Sequence, residues 1–118
     1  MGKKVPDSIL DLMLTQAEGT KVHVCSAEPA NYAGIAAVQL VIDDVGTYTK
    51  ANGDTSGRKN TQAGTTGSPI ATTGTANHVC ISDGVSDLKL VTTCVAQALT
   101  SGGTVDIGAF DHEIGDPT

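Results

Sequence analysis

The spacing of apolar residues changes at Gly19, and this change constrains the fold more than any other feature of the chain. Before Gly19, acidic residues and the apolar stretch ILDLML follow Pro6, a pattern typical of the first turns of a helix. After Gly19, Val22 and Val24 alternate with more polar neighbours, as in a β-strand. The sequence therefore predicts one helix, at about residues 6–18, with Gly19 ending it and β structure after it.

Segments with the composition of strands, divided by turns, account for most of the remaining chain. SDGVSD and TSGG have the composition of tight turns. The predicted strands include IAAVQLVI, PIATTGTANHVCISDG, LKLVTTCVAQAL and TVDIGAFDHEI. This spacing favours a mainly β fold, an antiparallel β-sandwich or small barrel with one N-terminal α-helix. The length predicts a single domain over residues 1–118, with its β part at about 20–115 and no second helix.

The segment Thr49–Pro69 is poor in hydrophobic residues and rich in Gly, Ser, Thr and Asn. This composition predicts a long surface loop over residues 49–69, with at most one short strand near Arg58–Gln62. Long loops in compact domains are often binding elements. Arg58 and Lys59 are therefore predicted to contact a partner.

The predicted helix carries more apolar residues than one narrow stripe requires. They are Ile9, Leu10, Leu12, Met13 and Leu14. We therefore expect the helix to be buried on more than one side, against its own sheet or a neighbouring chain. Leu12 and Leu14 are predicted contact residues.

Composition and charge indicate how the chain is stabilised and argue against several classes of protein. Aromatic residues make up only 3% of the chain, so the core must be thin, which favours association with other copies or another protein. A net charge of −6 argues against binding to nucleic acid, and no apolar run has transmembrane length. Three cysteines without a C-x-x-C motif exclude a fully paired disulfide framework in a monomer and favour a reducing cytoplasm.

The tripeptide His-Val-Cys occurs twice and raises the question of a metal site or a Cys/His catalytic pair. On a strand, residues two apart share a face, so each copy could offer two ligands to one side. The candidate ligands are His23, Cys25, His78 and Cys80, with Cys94 or His112 completing a set. The spacing differs from that of zinc knuckles. We therefore favour alternation in partly buried strands, with no metal and no cofactor.

Other candidate sites are weaker still. The aspartates in IDDVGTY, NGDTSG and ISDGVSD lie near glycines, but they lack the spacing of an EF-hand and are typical of turns. Ser26, Ser56 and Ser82 lack the context of a nucleophile elbow. We therefore predict that the chain is not an enzyme.

Three segments, GDTSGRK, TGTANHVCISDGVSDL and TSGGTVDIGAFDHEIGDP, together resemble a pattern common in small structural proteins of tailed phages. In that pattern a helix of the ILDLML type precedes the strands. The resemblance covers most of the chain and rests on the order of strands and turns. It implies a virion component encoded among head and tail genes. It implies no catalytic residue, because the pattern contains none.

The expected function is that of a capsid decoration or cement protein, which would bind the major capsid protein at the capsid surface, with the virion assembled in the host cytoplasm. Copies of the chain are expected to associate, and the three-fold positions of capsid lattices favour a trimer. One alternative is a tail or fibre-associated adhesion protein. Another is a metal-binding or thiol-dependent enzyme that uses the His-Val-Cys pairs.

Overall fold

The computed structural model describes residues 5–116, which contain two helices and nine strands. The elements follow in the order α1 (Asp7–Gln16), β1 (Lys21–Cys25), α2 (Tyr32–Val38), β2 (Gln39–Asp44), β3 (Tyr48–Asn52), β4 (Arg58–Gln62), β5 (Thr65–Pro69), β6 (Gly74–Ser82), β7 (Leu88–Leu99), β8 (Thr104–Ile107) and β9 (Phe110–Ile114). The strands pair in an antiparallel manner. The predicted mainly β fold with an N-terminal helix is confirmed.

The strands form three sheets, and the buried residues of the main core lie in or next to strands of two of them. Their strand orders are β2-β1-β6-β7, β3-β4-β9 and β5-β8. A bridge between Val41 and Ile70 places β5 beside β2, so the order β8, β5, β2, β1, β6, β7 forms a continuous curved layer. The buried residues of the main core are Val22, Val24, Leu40, Val41, Ile70, Ala76, Val79, Ile81, Leu99 and Ile107.

A second, smaller core lies on the other face of the four-stranded sheet. It contains Cys25 and Cys80, and Ile35 of α2 packs against them. Because side chains alternate along a strand, β1 directs Val24 towards the main core and Cys25 towards the smaller one. Both faces of β1 are therefore covered.

Helix α1 packs near β4 and β9 through one face. Leu10 and Leu14 are buried, whereas Ile9, Leu12 and Met13 are exposed. The prediction that this helix is buried on more than one side is therefore wrong within a single chain, because the neighbouring strands cover only one face.

Gly19 does not end α1, which ends three residues earlier at Gln16. Gly19 instead lies against the end of β6, where an added Cβ would be 2.3 Å from the carbonyl oxygen of Ser82. The neighbouring Thr20 N–H donates a hydrogen bond to that same oxygen. Gly19 thus permits close approach of two segments rather than terminating a helix.

The short helix α2 contradicts the prediction of a single helix and of a strand over IAAVQLVI. The side chain of Asn31 accepts a hydrogen bond from the backbone N–H of Gly34 at 2.9 Å, which caps the helix. Three alanines then favour the helical conformation, and the strand begins only at Gln39.

The segment 49–69 is not a loop, because β4, β5 and nearly all of β3 lie within it. The short strand predicted near Arg58–Gln62 is present as β4, and it lies between β3 and β9. Polar composition misled the prediction, since hydrogen bonding between the backbones of adjacent strands does not require apolar side chains. The predicted last strand is also divided, into β8 and β9, which belong to different sheets.

Candidate functional site

The two His-Val-Cys tripeptides lie side by side on β1 and β6. Their antiparallel register places His23 opposite Cys80 and Cys25 opposite His78. Within each tripeptide the histidine and the cysteine are two positions apart on the strand, so both lie on the same face of the sheet. The repeat therefore consists of two short strand segments that pair with each other. The arrangement brings these four candidates onto adjacent strands, whereas Cys94 lies on β7 and His112 on β9.

His23 is buried and binds two side chains from neighbouring strands. Its Nδ1 lies 2.5 Å from Oε1 of Gln39 on β2, and its Nε2 lies 2.7 Å from Oγ of Ser82 on β6. The amide oxygen of Gln39 can only accept, so Nδ1 carries the proton and Nε2 accepts from the Ser82 hydroxyl. The Ser82 oxygen in turn accepts from the N–H of Gly84 at 3.1 Å.

This chain of serine, imidazole and carbonyl has the same order as a nucleophile, its base and an orienting group. Ser82, however, is 0% exposed and lies beneath the surface of the protein. A substrate cannot reach its hydroxyl without separation of the strands. The network therefore ties β2, β1 and β6 together and does not form a reacting centre.

Gln39 and Ser82 are partners of His23 that sequence reasoning missed. They lie 16 and 59 positions away from His23 in the chain. Their contact depends on strand register, and we find no local sequence signal that predicts it.

We expect the stability of the protein to fall as the pH drops below about 6.5, the ordinary pKa of histidine. Burial lowers the pKa of His23, partly offset by the hydrogen bond to Gln39. The unfolded chain then binds a proton that the folded chain excludes, so stability is present above the unfolded pKa and is lost on acidification. His23 should contribute a slope of no more than about 1.4 kcal/mol per pH unit.

The measurement is the free energy of unfolding in urea between about pH 7.5 and about pH 5.5, a range above the ordinary pKa values of carboxylates. The variant His23→Gln keeps a polar side chain but has no imidazole. It should lose less stability than the wild type over this range. The same loss in both proteins would show that His23 does not cause the acid sensitivity.

Cys25 and Cys80 form a buried thiol pair with their sulfur atoms 3.9 Å apart. The contact with Cys25 and burial both raise the pKa of the Cys80 thiol, because both disfavour its thiolate. Cys94 lies apart from this pair on β7 and is exposed. Buried protonated thiols of this kind act as small apolar groups.

The proposed metal ligands converge only in part. Among the residues that the structure describes, no three His, Cys, Asp or Glu side chains are placed to hold one metal ion. The nitrogens of His23 bind Gln39 and Ser82, and Nδ1 of His78 lies 2.6 Å from Oδ1 of Asn77. The structure thus places the sulfur atoms of Cys25 and Cys80 next to each other, while the imidazoles of His23 and His78 form hydrogen bonds with other side chains.

The aspartates near glycines stabilise turns and pair with neighbouring side chains. One carboxylate oxygen of Asp83 accepts hydrogen bonds from the backbone N–H groups of Val85, Ser86 and Asp87, at 2.8, 2.8 and 3.0 Å. These three bonds lower the pKa of Asp83 to about 2. The ISDGVSD segment is therefore a hydrogen-bonded turn.

Arg58 and Lys59, the basic residues predicted to contact a partner, form ion pairs within the chain. Nε of Arg58 lies 2.9 Å from Oδ1 of Asp11 on α1. Nζ of Lys59 lies 2.8 Å from Oδ1 of Asp54 and 3.5 Å from Oδ2 of Asp111. These pairs hold α1 and β9 close to β4, and they leave little of either charge for a partner.

Two of the exposed apolar regions in residues 5–116 lie on α1 and on β7, and another, at Ile42, lies beside a groove between α2 and β2. The first, here called the α1 stripe, consists of Ile9, Leu12 and Met13 on the outer face of the helix. The second surrounds Val95 on β7, beside a groove of about 210 Å³ between β7 and β8. Contiguous exposed apolar residues commonly mark contact surfaces.

The described residues thus form an antiparallel β protein with exposed apolar side chains and a buried histidine network. Neither of the helices in residues 5–116 has the length and apolar character needed to cross a membrane. Comparison of the chain with protein-family models, curated proteins and solved structures gives no match.

Proposed function

We propose that the chain is a non-enzymatic structural protein of a tailed-phage virion, bound to the head shell as a decoration or cement protein. The observation that carries this proposal is the α1 stripe. Ile9, Leu12 and Met13 are spaced at three and four residues and lie on one helix face. An apolar helix face of this kind fits a groove on a partner protein.

The stripe lies on a helix that is anchored to the rest of the protein through its opposite face. Leu10 and Leu14 are buried beneath it, and the ion pair of Asp11 with Arg58 connects the helix to β4. A contact surface that is already ordered loses less conformational entropy on binding than a flexible arm. This favours a stable attachment at many equivalent positions of a shell.

The resemblance of GDTSGRK and the later segments to small tailed-phage structural proteins supports the choice of partner. We propose the major capsid protein as the partner and the capsid surface as the location, with attachment in the host cytoplasm. The net charge of −6 favours a role away from the packaged genome. Copies on the shell would associate, and three-fold lattice positions favour trimers.

The proposal is tested by counting copies of the chain in purified particles from the strain that carries its gene. Counts on the order of hundreds per particle are expected for a shell protein with closed symmetry. A handful of copies would instead support the tail or fibre alternative. Absence of the chain from particles would overturn the virion proposal altogether.

A matched pair of variants tests the α1 stripe itself. Leu12→Asp places a charge on the stripe, whereas Val85→Asp places the same charge on an exposed valine in the Asp83–Asp87 turn. We expect the occupancy of particles to fall at least tenfold for Leu12→Asp, which corresponds to about 1.4 kcal/mol of binding free energy. Occupancy should be unchanged for Val85→Asp, and equal occupancy of both variants would rule out the stripe as the contact.

A further inference from the structure

The curved layer of strands around the main core is not closed between β7 and β8. These strands follow each other in the chain, yet β7 pairs with β6 and β8 pairs with β5. The groove of about 210 Å³ lies between them. The residues that line it include Val24, Ala76, Val79, Leu99, Val105 and Ile107, which belong to the main core or pack against it. We call this opening the seam.

Val95 stands at the rim of the seam and is 91% exposed. The register explains its position, because His78 pairs with Thr93 while Ala76 pairs with Gln97. Between these two pairs β7 advances four residues and β6 only two. The extra length forms a bulge in β7, which leaves Val95 exposed beside an apolar groove.

The β7 side of the seam carries no charged residue, and the β8 side carries Asp106. Leu90–Thr100 contains no charged residue, whereas the chain carries a net charge of −6. Asp106 lines the groove, and its carboxylate accepts a hydrogen bond from the N–H of Gly67 at 2.9 Å. Two copies that met along Leu90–Thr100 would bring no charged side chains of that segment into contact.

We propose that the seam is a self-association surface, on which two copies meet about a two-fold axis and the Val95 of each enters the groove of the other. A two-fold contact uses the same patch on both copies, and here the projecting valine and the groove belong to one patch. On a shell this contact would join copies of neighbouring trimers. In the free protein it would produce a dimer.

The area of the seam surface determines how strong the proposed dimer is expected to be. A strand of 12 residues is about 40 Å long and a sheet edge about 10 Å wide, so each copy would bury roughly 400 Å². A standard stable interface buries about 800 Å² per partner. The free dimer should therefore be weak, with a dissociation constant in the micromolar range or above, and many copies on one surface would strengthen it by avidity.

The test is sedimentation equilibrium of the free protein from micromolar to millimolar concentration, which does not depend on the virion proposal. The wild type should shift from monomer towards dimer as its concentration rises. Val95→Asp should stay monomeric, and Val95→Thr, of nearly the same shape, should weaken the dimer several-fold. Val85→Asp, the matched control at a valine 78% exposed, should behave as the wild type.

Equal melting temperatures of the three variants and the wild type would show that the substitutions do not disturb the fold. A wild-type mass that does not depend on concentration would overturn the proposal. So would association of Val95→Asp and Val85→Asp to the same extent, or growth of the wild type into assemblies larger than a dimer.

Discussion

Replacing Leu14 by alanine should lower the free energy of unfolding by about 2 to 3 kcal/mol, within the range found for buried leucines. Leu14 is 0% exposed and, with Ile81 and Phe110, lines a small cavity of about 10 Å³. Alanine would enlarge that cavity. The amide groups of Asn60 and Gln62 line it too, so water can enter the new space, which favours the lower half of the usual range.

Leu12→Ala is the control, because Leu12 lies two residues away on the same helix and is 62% exposed. It should change the free energy of unfolding by less than about 0.5 kcal/mol. Urea unfolding of both variants measures the difference. If the two substitutions cost the same, the buried and exposed faces of α1 would have to be assigned differently.

Replacing Gly19 by alanine should destabilise the protein by about 1 to 3 kcal/mol, the usual cost of overpacking. The new methyl group would lie 2.3 Å from the carbonyl oxygen of Ser82 and 2.5 Å from Cγ2 of Ile81. A backbone oxygen cannot rotate away as a side chain can. The end of β6 would therefore have to move, and with it the Ser82 hydroxyl that binds His23.

Gly108→Ala is the matched control for this effect. No atom outside its immediate chain neighbours lies within 4 Å of an added Cβ, and the φ angle of Gly108 is not positive. Alanine should be neutral or slightly stabilising at such a position, because it reduces the freedom of the unfolded chain. Thermal unfolding of both variants gives the comparison. A Gly19→Ala variant as stable as Gly108→Ala would show that the contact with β6 is loose.

The α1 stripe and the seam are separate surfaces, and their variants should separate two properties. Leu12→Asp should reduce attachment to particles and leave dimer formation in solution unchanged. Val95→Asp should abolish the dimer in solution, and any loss of occupancy it causes would measure how much copies support one another on the shell. Each proposal can fail without the other.

Helix α1 and most of the strands could be predicted, because the sequence signals for them are local. The change of apolar spacing at Gly19 predicts a helix followed by strands, and LKLVTTCVAQAL coincides with β7. The helix α2 was missed although it has a local signal, the Asn31 cap before an alanine-rich stretch. Apolar residues at 35–42 suggested a strand more strongly than that cap suggested a helix.

The candidate site likewise has features that local sequence predicts and features that depend on tertiary structure. Alternation placed His23 with Cys25, and His78 with Cys80, on shared faces, and the sequence alone sufficed for that. The pairing of the two tripeptides with each other depends on the antiparallel register of β1 with β6. The burial of Ser82 and its bond to His23 likewise depend on strands distant in sequence.

By itself, the sequence determined the change from helical to strand spacing at Gly19, the acidic charge and the scarcity of aromatic residues, because these are properties of neighbouring residues and of composition. Only the tertiary structure decided that polar residues 48–69 form strands, that Leu14 is buried while Leu12 is exposed, and that β7 and β8 leave a seam. These outcomes depend on which strands pair and which faces they cover. Long-range pairing is set by the total free energy of the packed chain, so no local pattern could specify it.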